Sequence, residues 1–169
     1  MRRPPDRTRA YTHRMAGHEI ALTRRIDAPR ERVWAVLTDV RHAPRTLSGV
    51  DSVDLLTDGP YAVGTRWRET RTMLGRSETQ EMWVAENDPR RRTVVRARSG
   101  GTDYETVFEL AGPEEGPTDL TVRFGAETPE PGRVAAVVWK VFGPLGLRLT
   151  RKALTSDLDD IATAAQSPR

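Results

Sequence analysis

The residues best able to do chemistry fall on alternate positions of two short stretches: Trp67, Glu69 and Arg71 in one, Tyr104, Thr106 and Phe108 in the other. A spacing of two places each trio on one face of an extended strand. A carboxylate and a guanidinium beside a tryptophan on an inward face have two uses. They satisfy each other as an internal ion pair, or they form the polar end of a wet cavity. In the second case Arg71 holds the carboxylate, phenolate or enolate of a ligand, and Glu69 or Tyr104 moves a proton. The residues alone leave both open.

Other chemistries find little support. The three histidines, His13, His18 and His42, are dispersed, and none pairs with an acidic residue at metal-ligand spacing, so no metal and no cofactor is expected. The chain has no cysteine, which removes disulfides, thiolate ligands and cysteine nucleophiles. No Gly-x-Ser-x-Gly elbow occurs. The stretch from Gly59 to Thr65 imitates part of a phosphate loop, but it lacks the lysine and precedes a strand pattern where that loop precedes a helix. It reads as a turn, and no catalytic residue is assigned.

The elements that must position these residues follow from periodicity. Ile20, Leu22 and Ile26 alternate with polar residues, predicting a half-buried strand closed by Asp27-Ala28-Pro29. Pro29 and Glu31 suit a first helical turn, and Val33, Trp34 and Leu37 form the apolar stripe of a short helix to Leu37. Trp34 is read as core, with a cost of about 3–5 kcal/mol for its loss. A second short helix or turn, Arg41 to Leu47, leads to a strand carrying Val50, Val53 and Leu55. Strands are then predicted over 65–73, 77–85, 92–98, 102–110 and 120–126, at hairpin spacing. With Gly75-Arg76 as a two-residue turn, Arg71 pairs with Gln80, Glu69 with Met82 and Trp67 with Val84, while Arg68 faces Trp83 on the other side. Leu120, Val122, Phe124 and Ala126 give the inner face of the last strand. A helical pattern runs from Val134 to about Ala165, kinked or interrupted at Gly143-Pro144. That break either marks a cavity mouth or only fits the helix to a curved sheet. Only this last helix is long enough to cover the apolar face of the meander.

The segment Ile26-Asp27-Ala28-Pro29-x-x-x-Val33-Trp34-x-x-Leu37-x-Asp39 resembles the strand-to-helix signature of the START-like (SRPBCC) superfamily, which includes polyketide cyclase/dehydrase-like proteins, lipid-transfer domains and the birch-pollen-allergen fold. Gly64-Thr65-Arg66-Trp67, Asn87-Asp88-Pro89-Arg90-Arg91 and Thr118-Asp119-Leu120-Thr121-Val122 stand where that family places similar residues, and the likeness covers roughly 18–165. It implies an α+β helix-grip fold: a curved antiparallel sheet of about seven strands around a long C-terminal helix, with two short helices after the first strand. It also implies an internal cavity for a small hydrophobic or aromatic, lipid- or polyketide-like molecule. Trp67, Glu69, Arg71, Gln80, Met82, Tyr104, Thr106 and Phe108 are the candidate lining, with Val138 and Phe142 from the C-terminal segment. An aromatase/cyclase-like enzyme acting on a polyketide chain and a co-chaperone-like partner-binding domain are the alternatives; the enzyme lacks a visible acid–base pair.

Composition bounds the remaining classes. A length of 169 residues suits one domain, and 37% hydrophobic with 30% charged residues is ordinary for a folded chain. The net charge is +3, and much of the excess lies before residue 18, so no basic face for nucleic acid is indicated. No signal-like segment starts the chain, and the apolar stretch from Val134 to Leu149 is short and broken by Lys140 and Gly143-Pro144, so a cytoplasmic protein without membrane insertion, monomer or homodimer, is expected. Residues 1–17 carry prolines and arginines without hydrophobic period and are read as a basic, disordered leader to a domain over 18–166, with Met15 a second candidate start. Deleting them should leave the thermal midpoint unchanged in a denaturation scan. A drop of several degrees would mean that the leader docks on the domain.

Overall fold

The alternating stretches become seven strands and the 3.6-residue patterns become helices in the computed structural model, which describes residues 19–73, 75–99, 102–127 and 143–168. In chain order the elements are β1 (Glu19–Ile26), α1 (Arg30–Thr38), a 3₁₀ turn (Val40–His42), α2 (Ala43–Thr46), β2 (Ser52–Leu55), β3 (Arg66–Met73), β4 (Arg76–Asp88), β5 (Arg92–Ser99), β6 (Thr102–Ala111), β7 (Thr118–Glu127) and α3 (Pro144–Gln166). The strands form one antiparallel sheet in the order β1-β7-β6-β5-β4-β3-β2. This is the helix-grip architecture, with α3 across the concave face.

The packing of α3 follows its sequence. Leu158, Ile161, Ala162 and Ala165 recur at helical spacing, and all four are buried against Ile26, Val33, Leu110, Leu120 and Val122. The small residues let the helix approach the sheet closely at its C-terminal end. Toward its N-terminal end Leu147 packs on Ile20, Ala97 and Tyr104, Leu154 packs both there and on the first cluster, and both leucines remain only half-buried. The expected helical pattern before Gly143 lies outside the described residues; Gly143 itself is the N-cap of α3, and Pro144 opens the helix.

Two turns depart from expectation. The β3–β4 hairpin closes with Met73 opposite Arg76 and Gly75 at φ 75°, so its turn lies one residue earlier than Gly75-Arg76. Every partner is therefore displaced by two positions: Trp67 faces Met82, Glu69 faces Gln80 and Arg71 faces Glu78. An even slip preserves the faces, because side chains alternate with period two. On the outer side the same slip puts Arg66, not Arg68, opposite Trp83, with its guanidinium 5.7 Å from the ring centre. β4 also runs to Asp88, beyond the expected end at Ala85, with a bulge between Val84 and Glu86 that bends the strand. The chain reverses over Asp88 to Arg91, closed by the Arg91 amide donating to the Asp88 carbonyl, with Pro89 second and Arg90 third at φ 65°. A proline followed by a positive φ is the pattern of a type II turn.

Trp34 packs against the core cluster but is only half-buried, standing edge-on to Tyr61 with ring centres 6.4 Å apart, and Val33 alone is the fully buried residue of α1. Tyr61 donates to or accepts from Thr93 at 2.8 Å, and burial pushes its hydroxyl pKa up to about 12, against the lowering by that bond. Trp34→Ala should therefore cost about 1.5–3 kcal/mol, less than a fully buried indole. Chemical denaturation would measure it, and a loss under about 0.5 kcal/mol would mean that the Trp34–Tyr61 contact holds nothing in place.

Candidate functional site

Rows of paired residues cross the concave face. One row is Trp67, Met82, Ala97 and Tyr104; the next is Val84, Val95, Thr106, Phe124 and Ile20. Glu69 and Gln80 form the neighbouring row on one side, and Phe108 lies beyond Thr106 on the other. The structure thus brings eight of the ten sequence candidates onto one continuous face, while Val138 and Phe142 lie outside the described residues. Tyr104 and Phe124 stack with ring centres 5.9 Å apart and planes 10° from parallel.

Not all of this wall is sealed. Trp67 and Tyr104 are buried, but Gln80, Met82, Thr106, Phe108 and Phe124 are only half-buried although they point toward the helix side. This half-buried strip, bordered by Leu147 and Leu154, is the candidate trough, whereas cavities open at other places, one against Val36 and Ala164 and one at the Pro89–Arg91 turn.

Arg71 is met from within the protein. Its Nε donates to Glu69 Oε1 at 2.6 Å, and its two terminal nitrogens donate to Asp157, at 3.1 Å to Oδ1 and 2.9 Å to Oδ2. Trp67 Nε1 donates to the second oxygen of Glu69 at 3.3 Å. Sequence reading found Glu69 but missed Asp157, which lies on α3. A visible signal was the run Asp157, Asp159, Asp160 within an otherwise sheet-covering helix. Of the two uses open to Arg71 in the sequence, the structure shows the internal one, a forked ion pair with the protein's own carboxylates. Side-chain exposures of 10% for Glu69, 17% for Asp157 and 26% for Arg71 make this a shielded network. Desolvation alone would favour a neutral Arg71, but the two carboxylates outweigh it and push its pKa further up. Desolvation pushes the Asp157 carboxyl above its ordinary range, more than Arg71 lowers it, with Glu69 and Asp160 adding repulsion.

Neighbouring contacts fix the network. A side chain at Gly49 would bring its first carbon within 3.2 Å of an Arg71 nitrogen, so the loop before β2 lies against the guanidinium. The Ser48 amide and hydroxyl both donate to Asp160 at 2.7 Å. On the far flank Arg24 of β1 reaches Asp159 at 3.3 Å.

Comparison with known proteins decides the family. The model of the family described as polyketide cyclase / dehydrase and lipid transport matches residues 17–166. The chain belongs to that family. Among curated proteins none matches the sequence. Solved structures similar to this polyketide cyclase / dehydrase family member include the Zhui aromatase/cyclase from Streptomyces sp. R1128, with a TM-score of 0.71 at 16% identity over 88% of this chain and 93% of that one. A protein of Thermus thermophilus gives 0.69 at 21% identity, covering 88% and 97%. Ara h 8.0201 gives 0.67 at 12% identity, covering 89% and 99%. At such identities the likeness is one of fold, and it places the helix-grip assignment beyond the strand count alone.

For this family member the raised Asp157 carboxyl has a stability consequence. A carboxyl that binds its proton more tightly when folded adds stability below the ordinary pKa of about 3.9, and loses it as pH rises through the raised folded value. The stability advantage of wild type over Asp157→Asn should therefore be largest in acid and shrink toward neutrality. Thermal midpoints of both proteins across that range test this. A gap that widens with pH would mean that attraction to Arg71 outweighs desolvation.

Proposed function

We propose that this protein binds a small hydrophobic or aromatic molecule in the trough between the concave sheet face and α3. The observation that carries the reading is the half-burial of Met82, Thr106, Phe108 and Phe124, apolar or nearly so, on a face that an interior helix would otherwise seal. Apolar walls with a few polar groups are what small-molecule sites look like, and Gln80 and Thr106 supply such groups. The family description, which joins cyclisation with lipid transport, supports a ligand of this class.

Binding is preferred to cyclisation because, among the described residues, the carboxylates nearest the trough, Glu69 and Asp157, are committed to Arg71. A catalytic acid or base must be able to meet its substrate. A partner-docking domain finds less support. Among the described residues Leu56, Val63 and Leu145 are the large apolar side chains left exposed, and scattered single residues of this kind are normal on any surface.

Met82 stands in the centre of the trough, between Trp67 and Ala97 in register. Met82→Trp should fill that space and lower affinity for the neutral fluorescent probe N-phenyl-1-naphthylamine by about tenfold or more, as expected when a bulky ring occupies the ligand's volume. Fluorescence titration of wild type and variant, with thermal midpoints as the control for folding, makes the measurement. Wild type that binds no probe and releases no small molecule in native mass spectrometry would sink the binding reading.

A further inference from the structure

The charges around the trough say what kind of ligand it takes. The network at its edge holds two carboxylates and one guanidinium, so it carries a net negative charge, and its cation is turned to the protein's own carboxylates: three of its five N–H groups are given away, Nε to Glu69 and one from each terminal nitrogen to Asp157. Glu69 faces Gln80 across the β3–β4 ladder, which puts this charge directly beside the polar lining. Glu78, opposite Arg71, adds a further carboxylate on the same side, exposed to solvent. The other cations on this side of the described sheet are Arg24, paired with Asp159 at the β1 rim, and Arg76 at the exposed tip of the β3–β4 hairpin. From α3, Arg148 and Arg151 point to solvent.

What the trough does offer is neutral. The Gln80 amide and the Thr106 hydroxyl each donate and accept, and neither makes a hydrogen bond to another described side chain. The stacked pair Tyr104 and Phe124 forms a flat wall whose ring faces, negative by their quadrupoles, also disfavour an anion. We propose that the trough selects neutral aromatic ligands bearing hydroxyl, carbonyl or amide groups and rejects carboxylates and sulfonates of the same shape, with the Glu69–Arg71–Asp157 network as the charge filter. This rests on the binding reading above and goes beyond it, since an apolar pocket alone would accept a fatty acid as readily as a phenol. At an effective dielectric near 20 the repulsion of two like unit charges amounts to about tenfold in affinity at a separation of about 12 Å, and to more when they are closer.

The test uses two probes with one skeleton. N-Phenyl-1-naphthylamine is neutral, and 1-anilinonaphthalene-8-sulfonate adds a sulfonate to the same rings. Affinity for the sulfonate is counted only for the signal that excess neutral probe displaces, which removes binding to surface arginines. The full-length protein should bind the neutral probe at least about tenfold more tightly, or show no displaceable sulfonate signal at all, and the ratio should narrow toward unity in Asp157→Asn and in Glu69→Gln. Two variants are used so that a folding defect in one leaves the other to decide. Equal or tighter displaceable binding of the sulfonate in wild type overturns the charge filter while leaving the binding reading intact. A ratio that neither folded variant changes also overturns it, because discrimination would then come from shape. Failure of wild type to bind either probe removes the binding reading, and the filter with it.

Discussion

A guanidinium on the inner face of an apolar sheet is stable only if negative charge reaches it, and in this protein that charge comes from two directions. Glu69 approaches along the same strand and Asp157 from the helix above, so the hydrogen bonds of Arg71 join β3 to α3. Removing either carboxylate leaves a shielded cation short of partners, and removing Arg71 leaves two carboxylates facing each other. The network thereby sets where the helix lies across the sheet. Ser48 to Asp160 strengthens the same flank, and Arg24 to Asp159 ties the other. Three acidic residues within one turn of α3 hold it to both sides of the trough.

On the C-terminal side of that tie α3 buries its apolar residues fully, and on the N-terminal side only in part. The difference lies in side-chain size and shape: Ala162 and Ala165 sit where the contact is tight, Leu147 and Leu154 where the wall is only half-covered. Full and partial burial are therefore distributed along one helix, with Leu154 touching both clusters. The end near Ile26 and Val33 supplies core, and the end near Ile20 and Tyr104 supplies the trough.

On the convex face several arginines are held in ion pairs. Arg98 pairs with Asp103, Arg96 with Glu105, Arg123 with Glu109, and Arg66 with Glu81, each across adjacent strands. The exposed pairs among them contribute little, while Glu105 is buried beneath Arg96. Their aliphatic stems matter more, since Val94 and Val107, paired in register on this outer face, are buried although no helix among the described residues packs there. The Arg98–Asp103 bond holds the Asp103 carboxyl below its usual range, against the opposing effect of desolvation.

Much of this was legible in the chain. Which face each strand residue occupies follows from alternation, a local property, and it survives an error of two positions in the β3–β4 pairing because that error is even. The turn itself is ambiguous in sequence, since two overlapping dipeptides both contain Gly75 and only cross-strand pairing chooses between them. The seven strands, the short helices and the covering helix likewise follow from period and punctuation, and eight candidate residues share a face for that reason. The partner of Arg71 was different. Asp157 is 86 residues away in sequence, on a helix whose rotation about its own axis is set by how Leu158 and Ile161 seat against the sheet. No spacing rule within one element reaches across that distance. Local periodicity therefore determined what faces inward, and tertiary packing alone decided which charges meet there.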